Sequence, residues 1–183
     1  MAIKGGQETI TLDGLTYTLD DRDRVAAQIV QESENVLSAN STIQYTNPVL
    51  QTDAAETLTV AANAGRTTII PNVSADRIYT LPTPSEGLHL HVVGFGALAA
   101  DGHDVSIITD TANTEFYHGA VVHHDSNQTG QTSAVVWGNG SSNDTIKLDT
   151  PEAFDIHFLG KSSTVWYVWG WSMGATPITI ADS

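Results

Sequence analysis

Apolar and polar residues alternate in short runs along most of this chain, and a period of two is the signature of half-buried β-strands. The runs 8–12 and 15–19 show it first. Ile10 and Leu12, then Leu15, Tyr17 and Leu19, are separated by polar residues, with Asp13-Gly14 between the runs. Asp-Gly accepts the positive φ angles of a two-residue turn, so the pattern predicts a β-hairpin over 8–19. Asp20 and Asp21 then offer an N-cap, and Val25, Ala26, Ile29 and Val30 fall at helical spacing, predicting a short helix over about 22–37. Residues 38–53 are polar, contain Asn47-Pro48 and lack periodicity, which fits a linker or an extended strap ordered by a partner.

From residue 54 the texture changes. β-rich runs recur at 57–60, 66–70, 77–81, 88–95, 104–109, 115–122, 132–137, 144–148, 153–159, 164–171 and 176–180, separated by clusters of Gly, Pro, Asn, Asp and Ser. Strands this short and close, with no helical pattern between them, predict an all-β fold: an antiparallel sandwich or barrel, jelly-roll-like. Doubly wound and TIM-barrel folds need helices between strands and are excluded. The expected organisation is an N-terminal arm, 1–53, carrying the hairpin and the short helix, followed by a β-domain, 54–183. No repeat of fixed period is visible. All four Trp lie late in the chain, at 137, 166, 169 and 171. Alternation puts Trp169 and Trp171 on one strand face and Trp166 on the other, so part of this set belongs to the core and part to an interface or an aromatic platform for sugar.

Charge narrows the partners. Seven Lys and Arg against 21 Asp and Glu leave a net charge of −14. Displacing counterions from nucleic acid or binding an anionic membrane needs the opposite sign, so neither partner is expected. The start, MAIKGGQETI, lacks the apolar core of a signal peptide, and no apolar run approaches bilayer-spanning length. Synthesis in the cytoplasm as a soluble product follows as the expectation. The Asn-x-Ser/Thr triplets at Asn40, Asn72, Asn127, Asn139 and Asn143 are then polar loop composition.

Candidate chemistry is sparse. There is no Cys, which removes disulfides, thiolate metal sites and Cys nucleophiles. His89 and His91 form an H-x-H pair with both rings on one strand face, a spacing similar to that of cupin metal sites. A cupin site continues with a nearby Glu, whereas Val92, Val93, Gly94, Phe95, Gly96 and Ala97 follow here and Glu86 precedes. His123 and His124 are adjacent, project to opposite faces and precede Asp125 in what reads as an exposed turn. No G-x-S-x-G elbow and no phosphate loop occur. Asp104, Asp110 and Glu115 are carboxylates without distinguishing local context. No catalytic residue, cofactor or metal ligand is therefore expected, and the chain is not expected to be an enzyme.

The stretch from Gly65 to Gly87, R-T-T-I-I-P-N…Y-T-L-P-T-P-S-E-G, followed by L-H-L-H-V-V, resembles the β-domains of tailed-bacteriophage head-decoration and fibre proteins. An arm, a linker and a Cys-free β-domain rich in Thr, Gly and Asn resemble capsid decoration (cement) proteins in particular. The resemblance implies a virion structural protein on the capsid surface, oligomeric and most often trimeric, that stabilises a shell of major capsid protein. The arm would reach over neighbouring subunits through Ile10, Leu12, Leu15, Tyr17, Leu19, Val25 and Ile29. A tail-fibre or carbohydrate-binding module is the alternative, and a metal-dependent or glycan-active β-fold enzyme the second.

Overall fold

The structure is a computed structural model that describes residues 8–12, 15–19, 48–95, 102–127 and 132–182. Contacts divide the chain into two compact units, Met1–Tyr45 and Thr46–Ser183.

In the first unit, strands β1 (Glu8–Leu12) and β2 (Leu15–Leu19) pair antiparallel, with Leu12 opposite Leu15, Ile10 opposite Tyr17 and Glu8 opposite Leu19. This is the register that a two-residue Asp-Gly connection dictates. The helix expected over 22–37, with Val25 and Ile29, lies outside the described residues.

The second unit is an all-β sandwich of two sheets around one core. Its strands are β3 (Val49–Leu50), β4 (Glu56–Thr57), β5 (Thr67–Ile69), β6 (Arg77–Thr80), β7 (His89–Gly94), β8 (Val105–Ile108), β9 (Phe116–Asp125), β10 (Ser133–Asn139), β11 (Thr145–Leu148), β12 (Pro151–Gly160), β13 (Val165–Gly174) and β14 (Thr179–Ala181). One sheet has seven strands in the order β10-β9-β13-β12-β7-β5-β3, and the other has five, β14-β11-β8-β6-β4.

The sheets are mixed, which differs from the expected antiparallel order. From β3 to β8 the chain alternates between the two sheets, so each strand returns beside its predecessor in the same sheet pointing the same way. β3, β5 and β7 are parallel, as are β4, β6 and β8. Crossing to the opposite sheet supplies the connection that parallel neighbours require. β9 and β13 are also parallel, while β10–β9, β12–β13, β12–β7, β11–β8 and β11–β14 are antiparallel.

Two local features also depart from the pattern reading. Val49–Leu50 is an edge strand, and Asp53 accepts from Arg77 Nε at 2.7 Å, so residues 48–53 belong to the sandwich and not to a linker. The run 57–60 ends in a helical turn, α1 (Val60–Asn63). Its start is fixed reciprocally: Thr59 Oγ1 accepts from Ala62 N at 3.2 Å, and Asn63 Oδ1 accepts from Thr59 N at 2.9 Å.

Leu90, Val92, Phe154, Ile156, Phe158, Trp166, Val168, Tyr117 and Val121 form the inner face of the large sheet, against Tyr79, Val105, Ile107, Ile146, Leu148 and Ile180 of the small one; all are buried. Burying each large apolar side chain here contributes on the order of 1.5–3 kcal/mol. No helix among the described residues is long and apolar enough to cross a membrane.

Candidate functional site

Because the core takes every second residue of the seven-stranded sheet, the remaining residues line an outer face. Strand register sorts them into rows across the sheet. One row runs Thr67, His91, His157, Trp169, Ala120, Trp137, from β5 to β10. The next runs Ile69, Val93, Asp155, Trp171, Val122, Val135, and on the other side lies His89, Leu159, Tyr167, His118, Asn139. Directly opposite residues in adjacent strands touch, so these rows are continuous side-chain stripes. Trp137 and Val135 are 66% and 65% exposed, and Tyr167 and Trp169 are 44% and 37% exposed. β10, which carries Val135 and Trp137, is also the edge of the sheet.

At the β5–β7–β12–β13 end the stripe becomes polar and ordered. The rings of His91 and His157 stack at 4.0 Å and 4°, and His157 stacks on Trp169 at 5.0 Å and 5°. His89 lies over the same pair, 5.4 Å from His157 and 5.9 Å from Trp169. Asp155, one turn of the pleat from His157, presents Oδ1 to both rings, 2.9 Å from His91 Nε2 and 3.2 Å from His157 Nε2. The far nitrogens are engaged too: His91 Nδ1 lies 3.1 Å from Thr67 Oγ1, and His157 Nδ1 lies 3.2 Å from His89 Nε2.

Burial against the sheet lowers the pKa of His89, with the charge of His91 adding to it. His157 is lowered by burial first, then by His91, against the opposing pull of Asp155. One donor atom from each of His91, Asp155 and His157 lies within 4.8 Å of the others, so these three could hold a metal ion.

The backbone beneath is constrained. Gly170, between Trp169 and Trp171, has φ 148°, and a Cβ there would meet the Asp155 carbonyl oxygen at 2.1 Å. Only Gly lets β13 and β12 approach so closely where Asp155 and His157 project.

The other singled-out residues scatter. His123, expected in an exposed turn, is buried within β9, because that strand runs on to Asp125; its Nδ1 lies 3.0 Å from Ser172 Oγ. His124 points outward, beside a hollow lined by Asp125, Thr132, Ser133 and Met173. The carboxylates are tied into the scaffold. Asp104 pairs with Lys147 at 2.7 Å, Asp110 Oδ2 accepts from Thr83 at 3.0 Å, and Glu115 Oε2 accepts the Asp110 amide at 3.2 Å. Of the arm residues, Ile10, Leu12, Leu15, Tyr17 and Leu19 sit in the paired hairpin strands. Trp166 is buried and Trp169 faces outward, as alternation predicts.

The expectation of no metal ligand rested on the empty stretch after His91; the structure brings a carboxylate and a further imidazole, Asp155 and His157 of β12, beside that residue. The signal was present as Asp155-Ile156-His157, a D-x-H within a predicted strand. Nothing local says that this strand lies beside β7. Compared with known proteins, the chain matches no family model, no curated protein and no solved structure.

Proposed function

We propose that this protein is a structural binding module of the virion, a capsid decoration protein that docks on a shell of major capsid protein through the outer face of its seven-stranded sheet and through its N-terminal arm. The observation that carries the reading is the exposed apolar patch of Trp137, Val135, Tyr167 and Trp169, spread over three neighbouring rows beside the β10 edge. Exposed aromatic side chains grouped on a flat face mark a protein-docking surface more than a substrate site, which calls for a concave pocket. An edge strand adds unpaired N–H and C=O groups on which a neighbour's strand can pair. The β1–β2 hairpin offers the same means of attachment, because a lone two-stranded hairpin is marginally stable in water and gains from docking. With a net charge of −14 the module stays soluble before it docks.

Purified protein mixed with capsids of the virus that encodes it is expected to co-sediment with them and raise their melting temperature. Capsids that melt identically with and without it, and leave it in the supernatant, would remove the proposal.

A second reading, a carbohydrate-binding module, is favoured by the same exposed Trp and Tyr rings, which could stack on sugars. It predicts Trp fluorescence changes with host polysaccharide at capsid-free conditions; silence there eliminates it.

A further inference from the structure

We propose that His91, Asp155 and His157 form a divalent transition-metal site, with Zn²⁺ as the matching ion. The donor set is two imidazole nitrogens and one carboxylate oxygen, which suits first-row ions of this class. The spacing fits as well. Ligand atoms about 2.0–2.2 Å from zinc lie roughly 2.8–3.1 Å from each other in octahedral and roughly 3.3–3.6 Å in tetrahedral geometry. Asp155 Oδ1 stands 2.9 Å from His91 Nε2 and 3.2 Å from His157 Nε2.

The surroundings are those of a built site. A metal-ligating imidazole normally engages its second nitrogen with a neighbour that fixes tautomer and orientation. Both rings do so here, His91 through Thr67 and His157 through His89. With Nε2 of each ring given to the metal, the ring proton sits on Nδ1, where His91 would donate to Thr67 Oγ1 and His157 to His89 Nε2, His89 then carrying its own proton on Nδ1.

Converging those lone pairs requires the stacked rings to turn about χ2, a soft torsion. That turn breaks the parallel stack of His91, His157 and Trp169. The three side chains are 22–29% exposed, so the ion is reached from solvent and keeps open positions, as an exchangeable site does.

The test uses full-length protein without a polyhistidine tag, stripped with EDTA and dialysed against Zn²⁺. One Zn²⁺ per chain is expected, with a change in Trp fluorescence that Trp169→Phe removes while the ion stays bound. His91→Ala, His157→Ala and the near-isosteric Asp155→Asn should each weaken binding by about 100-fold, and Thr67→Ala by about 10-fold. His118→Ala and His124→Ala, on the same face, should bind as the parent does. Co²⁺ added to the unaltered protein should give visible d–d bands of a nitrogen-ligated ion, a readout that needs no variant. Zn²⁺ retention no higher than a chelator-treated blank, absent Co²⁺ bands, or Asp155→Asn and His91→Ala binding at parental strength would overturn the assignment.

Discussion

The inner and outer faces of the seven-stranded sheet are made by the same strands, yet they carry different chemistry. On β12, Phe154, Ile156 and Phe158 point inward and are buried, while Asp155 and His157 point outward and form a polar cluster. On β13, Trp166 and Val168 are core, and Trp169 between its neighbours is exposed. Alternation thus lets consecutive residues serve separate ends: odd and even positions respond to different constraints, one set to packing and the other to whatever the face binds. The lesson is that stability and binding in this domain should separate under mutation, although the residues involved are chain neighbours.

The largest expected effect comes from the inner face. Phe158 packs its ring 5.8 Å from Tyr117 and 6.4 Å from Trp166. Phe158→Ala should cost about 3–5 kcal/mol in denaturant unfolding, because a well-packed cavity collapses poorly. Its neighbour His157→Ala should cost less than about 1 kcal/mol, since partly exposed positions contribute little. Equal costs for the two would break the comparison.

Gly170 couples the faces, and Gly170→Ala sharpens the comparison by failing to separate them. With φ 148° and the Asp155 carbonyl in the path of a Cβ, the substitution should cost about 2 kcal/mol in thermal or chemical unfolding. It should also displace Asp155 and His157, which the His157–Trp169 stack would report as altered Trp fluorescence.

A smaller effect concerns pH. His123 is buried, and burial lowers its pKa below the ordinary 6.5. The unfolded chain therefore takes up a proton near pH 6.5 that the folded chain refuses, so His123 favours folding fully above that pH and progressively less as pH falls below it. The melting temperature should decline on acidification through this window, and His123→Gln should flatten the decline. An unchanged slope would place the titrating group elsewhere.

Much of this architecture was legible in the alternation alone. Runs such as 88–95, 144–148 and 153–159 became β7, β11 and β12 with bounds shifted by a residue or two. β3 escaped because Val49–Leu50 is too short to show a period. Thr59 turned a strand-like run into α1 through a local cap. The parallel winding of β3 to β8 was illegible, since alternation marks a strand and not its neighbour's direction. The polar cluster was half legible for the same reason: His89 and His91 stood out together, but their partners on β12 are brought in by the His157–His91 register. Long-range pairing of that kind leaves no local trace.

The most direct test of the account is co-sedimentation of the double variant Trp137→Ser, Trp169→Ser with capsids. Parent and variant are expected to unfold within about 1 kcal/mol of each other in denaturant, while far less of the variant than of the parent pellets with capsids. A variant that pellets as well as the parent would contradict the account, because the outer face would then add nothing to what the N-terminal arm supplies.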